Sequence, residues 1–90
     1  DQLQAHMNLG SICLREQRNL EAVKHFGEAV RINPRFPPAH NLLGTALLRQ
    51  GQRQKARKHF QRAVELDPAY ENARDNLQAI GGPVATGDGS

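Results

Sequence analysis

The sequence is poor in aromatic residues and in cysteine. Its 90 residues include no tryptophan, one tyrosine and three phenylalanines, so that aromatic residues make up 4% of the chain. This composition, together with abundant alanine and leucine, suits thin layers of helices better than a β-sandwich, and we expect an all-α protein. The lone Cys13 has no partner for an internal disulfide or a cysteine-based metal site, which favours a reducing, cytoplasmic location.

Long apolar runs are also missing. The uninterrupted apolar stretches are only a few residues long, so we expect no insertion of this segment into a membrane. The first residues lack the charged and then apolar pattern of a signal peptide. The chain starts at Asp1 without methionine, which is compatible with a targeting segment that was removed or lies outside this sequence.

Acidic residues are absent from a long central stretch. No Asp or Glu lies between Glu28 and Glu65, although the net charge of the chain is only +3. A cationic patch can bind phosphates or an anionic membrane surface, but the few aromatic residues are needed for packing and cannot also stack on bases. We interpret the patch as a solvated helix face and expect no nucleic acid partner. The eight cations of this stretch are Arg31, Arg35, Arg49, Arg53, Lys55, Arg57, Lys58 and Arg62.

A tandem repeat organises the chain. The stretch HFGEAVRINP at 25–34 returns thirty-four residues later as HFQRAVELDP at 59–68. Without a gap, residues 3–36 and 37–70 share thirteen of thirty-four positions, most of them small or apolar. The identical pairs include Gly10 and Gly44, Phe26 and Phe60. A period in this range is typical of solenoids built from stacked helical units.

The pattern predicts two amphipathic helices in each unit, because apolar residues recur at steps of three and four. Gly51 suits the left-handed end of a first helix, whereas the equivalent Gln17 predicts a more strained turn. Asn19 is a candidate cap for the helix that follows. Pro34 and Pro68 end the second helices, since proline lacks the amide that a continuing helix needs.

These residues resemble the tetratricopeptide repeat family. The family pattern consists of a large residue, Leu-Gly, a second large residue, alanine, an aromatic, alanine and proline over thirty-four residues. The chain departs from it at His6 and His40, where the family often has tryptophan, and at Gln17, where it has a glycine. The first unit supplies His6, Leu9, Gly10, Cys13, Ala22, Phe26, Ala29 and Pro34, and the second supplies His40, Leu43, Gly44, Leu47, Ala56, Phe60, Ala63 and Pro68.

The resemblance implies an α-solenoid with two helix-turn-helix units and a final helix. Residues 1–36 form unit 1, residues 37–70 form unit 2, residues 71–80 form a capping helix, and residues 81–90 form a flexible tail. The capping helix carries Ala73, Leu77 and Ile80 on one face and polar residues elsewhere. Two units fall below the roughly three needed for independent stability, so we expect marginal stability, self-association or excision from a longer array.

The four histidines raise the question of a metal or catalytic site. They fall into two pairs at the repeat spacing, His6 with His40 and His25 with His59, which duplication explains. No HExxH, CxxC or nucleophile motif accompanies them, so we predict neither an enzyme nor a bound cofactor or metal. Glu21 lies one turn before His25, which favours a surface ion pair.

The family resemblance also implies a function, because first helices of such proteins line a concave groove that holds peptide segments. We predict a protein-protein interaction scaffold whose groove asparagines bind a peptide backbone and whose arginines bind its acidic groups. The alternative is a self-association module that forms a dimer or filament through exposed repeat faces. The predicted groove residues are Gln4, Met7, Asn8, Ser11, Arg15, Asn41, Leu42, Thr45, Arg49, Asn72, Asp75 and Asn76.

One subtype of the family is not expected here. Members that bind the C-terminal carboxylate of chaperones have lysine and asparagine one turn apart on the first helix. This chain has Met7 and Ser11 at those positions and therefore lacks the residues of such a carboxylate clamp. Asn8 and Asn76 match an asparagine ladder found in some members, but Leu42 interrupts it.

Overall fold

Five helices follow one another along the chain. A computed structural model describes the backbone of residues 1–85 and the side chains of residues 1–81. All regular structure in that part of the chain is helical, which confirms the all-α prediction and the two helix pairs followed by a fifth helix. Their bounds are α1 Gln2–Arg15, α2 Asn19–Ile32, α3 Pro37–Arg49, α4 Arg53–Leu66 and α5 Glu71–Ala85.

The two turns within the units have the same backbone path. Gly51 has φ 82° and Gln17 has φ 62°, so both occupy the left-handed region that was predicted for this position. In each turn the next amide donates back into the first helix, from Arg18 to the Cys13 carbonyl at 2.8 Å and from Gln52 to the Leu47 carbonyl at 2.9 Å. Because a side chain disfavours this conformation, the Gln17 turn carries strain that the Gly51 turn avoids.

The predicted cap of α2 is wrong. The helix begins at Asn19, and Arg18 is the residue that precedes it, with no side-chain hydrogen bond to the free amides. The buried Oδ1 of Asn19 has no hydrogen-bond partner. Arg18 instead donates through its guanidinium to both Glu16 and Glu21, so this helix start is held by ion pairs.

Glycine and phenylalanine fit together inside each unit. Gly10 lies against Phe26 and Gly44 against Phe60, and both rings are fully buried. A methyl group at Gly10 would come within 2.6 Å of a Phe26 ring carbon. Each glycine therefore makes room for the ring itself.

The units stack in a row, with α2 packed against α3 and α4 packed against α5. Leu43 and Ala46 of α3 are buried at this junction, at 6% and 0% exposure. Their equivalents on α1, Leu9 and Ile12, are 45% and 39% exposed. The same register therefore faces a neighbouring unit in α3 and the surrounding water in α1.

Helix α5 covers the last pair and continues beyond its predicted end. Ala73 and Ile80 are buried against the stack, at 0% and 3% exposure. The prediction that the helix stops at Ile80 is wrong, because it runs to Ala85. Two arginines of α4 support this part: Arg53 donates to the Ile80 carbonyl at 2.7 Å, and the Arg57 guanidinium lies beside Gly81. Residues 86–90 of the predicted tail lie outside the described residues.

Candidate functional site

The predicted groove residues differ in their exposure. Ten of the twelve are wholly or partly exposed: Gln4, Asn8, Ser11, Arg15, Leu42, Thr45, Arg49, Asn72, Asp75 and Asn76. The other two, Met7 and Asn41, are buried at 8% and 5% exposure. They occupy equivalent positions of α1 and α3, so this position points into the stack in both units. Placing Met7 and Asn41 in an accessible groove was therefore wrong.

Asn41 has a structural role at the junction of unit 2 and α5. Its Oδ1 accepts a hydrogen bond from Asn76 Nδ2 at 2.8 Å, and its Nδ2 donates to the Tyr70 hydroxyl at 3.5 Å. A buried amide with both ends paired holds its neighbours in register. Asn41 and Asn76 therefore satisfy each other, and this bond uses groups that we had assigned to a bound peptide.

The two arginines of the groove also differ. Arg49 Nη1 donates to the Leu14 carbonyl at 2.9 Å, which ties α3 to the last turn of α1. A cation suits this place because the carbonyls at a helix end carry partial negative charge. A guanidinium has five N–H donors, so Arg49 keeps others that face the solvent. Arg15, at the equivalent position of α1, is exposed.

Polar groups continue along the exposed sides of α1 and α3. Gln4 donates through its side-chain amide to Asn8 Oδ1 at 3.0 Å, one turn further along α1. The hydroxyl of Thr45 donates to the Asn41 carbonyl within α3. The residues that the structure describes enclose no pocket. A ligand of this surface would therefore lie along an open face instead of in a cavity.

The histidines pair differently from the sequence expectation. Within unit 1, the Nδ1 atoms of His6 and His25 lie 3.1 Å apart, and His40 and His59 repeat this distance in unit 2. The sequence identifies these histidines only as repeat copies, because their spacing alone does not show that a first-helix histidine faces one on the second helix. The predicted ion pair of Glu21 with His25 is wrong, since Glu21 is paired with Arg18.

The two histidine pairs have different surroundings. His40 is buried, and its Nε2 lies 2.8 Å from the Pro34 carbonyl, so that this nitrogen carries the proton and donates it. Burial first, and then the neighbouring His40, lowers the pKa of His59. Among the described residues, no group of three or more histidines, cysteines or carboxylates is arranged to hold a metal ion.

Within the described residues, the ion pairs lie on the second helices and in the turn before α2, where Arg18 is also paired with Glu16. Glu21 is paired with Arg18, Glu28 with Arg31, and Arg62 with Glu65. The guanidinium of Arg18 lowers the pKa of Glu21 through a hydrogen bond. Lys55 and Lys58 are exposed on α4, as the interpretation of a solvated cationic face requires. The buried Cys13 is 4% exposed and packs as a small apolar residue.

Comparisons with known proteins agree with this architecture. A sequence model described as "Tetratricopeptide repeat" matches residues 37–70, and one described as "TPR repeat" matches residues 10–51. No curated protein sequence matches this chain. None of the described helices is long and apolar enough to cross a membrane.

Two solved structures resemble the chain over most of its length. One is the first TPR of Spaghetti (RPAP3) bound to the HSP90 peptide SRMEEVD, with TM-score 0.84 and 24% identity over 88% of this chain and 63% of that one. The other is a MamA RS-1 ArsTM double mutant, with TM-score 0.83 and 26% identity over 90% of this chain and 46% of that one. The chain thus spans less than two thirds of each. Its sequence pattern, helix pairs and stacked units show that it belongs to the tetratricopeptide repeat family.

Proposed function

We propose that the chain is a protein-protein interaction scaffold that binds an extended, acidic peptide segment along the exposed sides of α1, α3 and α5. The observation that carries this proposal is the repeated cation at the end of each first helix. Arg15 and Arg49 occupy equivalent positions and are both exposed. Guanidinium groups form strong, paired hydrogen bonds with carboxylates, so two of them in a row favour a partner with several acidic side chains.

The rest of the surface suits a peptide backbone. Asn8, Ser11 and Thr45 offer amide and hydroxyl groups beside the two arginines, and the half-buried Leu42 offers an apolar contact. Asn72 adds an exposed amide on α5. Such groups bond to main-chain N–H and C=O without requiring one sequence. Support also comes from the Spaghetti structure, whose bound peptide contains two glutamates and an aspartate.

A charge reversal at Arg15 tests the proposal. The probe is the fluorescently labelled peptide SRMEEVD, amidated at its C-terminus because the carboxylate clamp is absent. Amidated SRMQQVN is the control without acidic side chains, and the readout is fluorescence anisotropy. Wild-type protein should bind the acidic peptide more tightly, and Arg15→Glu should weaken that binding about tenfold, the effect of losing one hydrogen-bonded charge pair. Arg15 is preferred to Arg49, because Arg49 also holds the Leu14 carbonyl.

Lys58→Glu is the matched control, since it makes the same change in net charge on an exposed face of α4. This variant should bind like the wild type. Equal weakening by Lys58→Glu and Arg15→Glu would show that only net charge matters, and the groove assignment would then be rejected. Equal affinity for the acidic and the control peptide would reject the acidic partner.

We propose self-association as the second candidate function, since the outer face of unit 1 is apolar. Leu9 and Ile12 are exposed there, whereas the equivalent residues of α3, a helix that packs against α2, are buried. A second copy of the chain would cover this face as unit 1 covers α3. Sedimentation velocity from 5 to 500 µM, which is roughly the range of weak dimers, should then show association that the Leu9→Glu variant loses. A wild-type monomer at every concentration would eliminate this candidate.

A further inference from the structure

We propose that the His6–His25 pair of unit 1 is a binding site for one divalent transition metal ion of the zinc, nickel or copper class. The two rings come from different helices, His6 from α1 and His25 from α2, and meet at their Nδ1 atoms. Neutral imidazole is a preferred ligand of these metals. The spacing of the histidines in the sequence does not show that the two rings meet, and the pair is not part of the proposed peptide-binding surface.

The distance between the two nitrogens suits a shared metal. A zinc–nitrogen bond to imidazole is about 2.0 to 2.1 Å long. Two nitrogens 3.1 Å apart would then enclose an angle of about 100° at the metal, between square and tetrahedral values. The described residues bring no third protein ligand to this point, so water would complete the coordination.

The rings must also be able to turn toward the metal. The ring centres are 5.3 Å apart, which places the two nitrogens edge to edge between them. Each ring would turn by roughly 40° for its lone pair to point at a metal off that line. Within the described residues, His6 and His25 are hydrogen-bonded only to each other, and both are half-buried, so this rotation breaks no other bond.

The second pair provides an internal comparison, because the same rotation is blocked there. The His40 Nε2 is bound to the Pro34 carbonyl at 2.8 Å, and His40 is 5% exposed. Turning this ring would cost a hydrogen bond in a buried place. The metal should therefore enter unit 1 before unit 2, although the nitrogen distance is the same in both.

The charges beside the two histidine pairs also favour metal binding in unit 1 over unit 2. His25 has Glu21 one turn before it and Glu28 one turn after it, and the equivalent neighbours of His59 are Lys55 and Arg62. The pKa of Glu28 is lowered mainly by its hydrogen bond with Arg31, so this carboxylate is charged at neutral pH. Since Arg18 and Arg31 partly neutralise the two glutamates, the carboxylates assist a cation without binding it directly.

Isothermal titration calorimetry with ZnCl₂ tests the site, on protein freed of any polyhistidine tag at pH 7.5. Wild type should bind one zinc ion per chain, and His25→Gln should abolish the heat. His59→Gln is the matched control, which breaks the other pair and should leave the stoichiometry and Kd unchanged. At free zinc about ten times Kd, the melting temperature of the wild type should rise by about 6 to 11 °C.

A second variant separates loss of binding from loss of folding. Glu21→Lys with Glu28→Arg gives His25 the charged neighbours of His59 and leaves both histidines in place. Its zinc affinity should fall at least tenfold while its far-ultraviolet circular dichroism stays helical. Long-range ¹H–¹⁵N spectra should show zinc-induced shifts at the Nδ1 atoms of His6 and His25. The proposal is overturned by the absence of zinc binding, by equal loss in His25→Gln and His59→Gln, or by shifts at His40 and His59 alone.

Discussion

Replacing Gly10 by alanine should destabilise the protein, although alanine is the better helix former. Gly10 lies inside α1, where alanine is favoured over glycine by about 1 kcal/mol. The added methyl carbon would lie 2.6 Å from one ring carbon of Phe26 and 2.8 Å from two others. That ring is 0% exposed, so it has no open space into which to move.

The size of the effect follows from these two opposing contributions. Overpacking a filled core costs about 1 to 3 kcal/mol, and a contact this short belongs at the upper end. After the helix gain is subtracted, Gly10→Ala should lower the free energy of unfolding by about 1 to 2 kcal/mol. For a domain of this size, the melting temperature should fall by at least about 4 °C.

Gly27→Ala is the matched control, because Gly27 lies inside α2 and a methyl group there meets nothing within 4 Å. The same substitution should raise the free energy of unfolding by about 0.5 to 1 kcal/mol. Urea denaturation followed by circular dichroism at 222 nm measures both variants. If Gly10→Ala is as stabilising as Gly27→Ala, the packing of the Phe26 ring against Gly10 is wrong.

Three further predictions follow from positions with special surroundings. Asn41→Ala should lower the free energy of unfolding by about 1 to 3 kcal/mol, since two side-chain hydrogen bonds are lost at a buried position. Urea denaturation measures this change, and the control Asn8→Ala should show little change in the same titration. Gln17→Gly should raise the free energy of unfolding by about 0.5 to 1 kcal/mol, and the melting temperature with it, since φ 62° suits glycine. Because burial and His40 lower the pKa of His59 in the folded state, the unfolded chain takes up this proton first, so stability should fall as the pH drops below about 6.5. Urea titrations from pH 7.5 to 5 should show a smaller fall in His59→Gln.

The fold could be predicted from the sequence because the repeat fixes which residues pack. The alanines and phenylalanines of the second helices recur at helical spacing, and Gly51 marks the turn. All of these are local signals. The far end of α5 could not be predicted in this way, because the support from Arg53 and Arg57 comes from another helix.

The candidate site could be predicted only in part, for the same physical reason. Arg15 and Arg49 are exposed as their helical positions suggest. Asn41 looks equally suited to a peptide, but its side chain meets Asn76 and Tyr70, which lie 35 and 29 residues away. Which amide is free and which is already bonded depends on how α5 rests on unit 2, and the pattern of a single helix does not contain that information.

The linear stacking of the helices determines how the protein opens. Among the described helices, α1 and α2 contact unit 2 but not α5, and α5 contacts unit 2 but not α1 or α2. Either end can therefore detach without loosening the other, while unit 2 loses its cover from both sides only when both are gone. Amide protons of α3 and α4 should be the last to exchange with deuterium, and the two ends should each show a protection of their own.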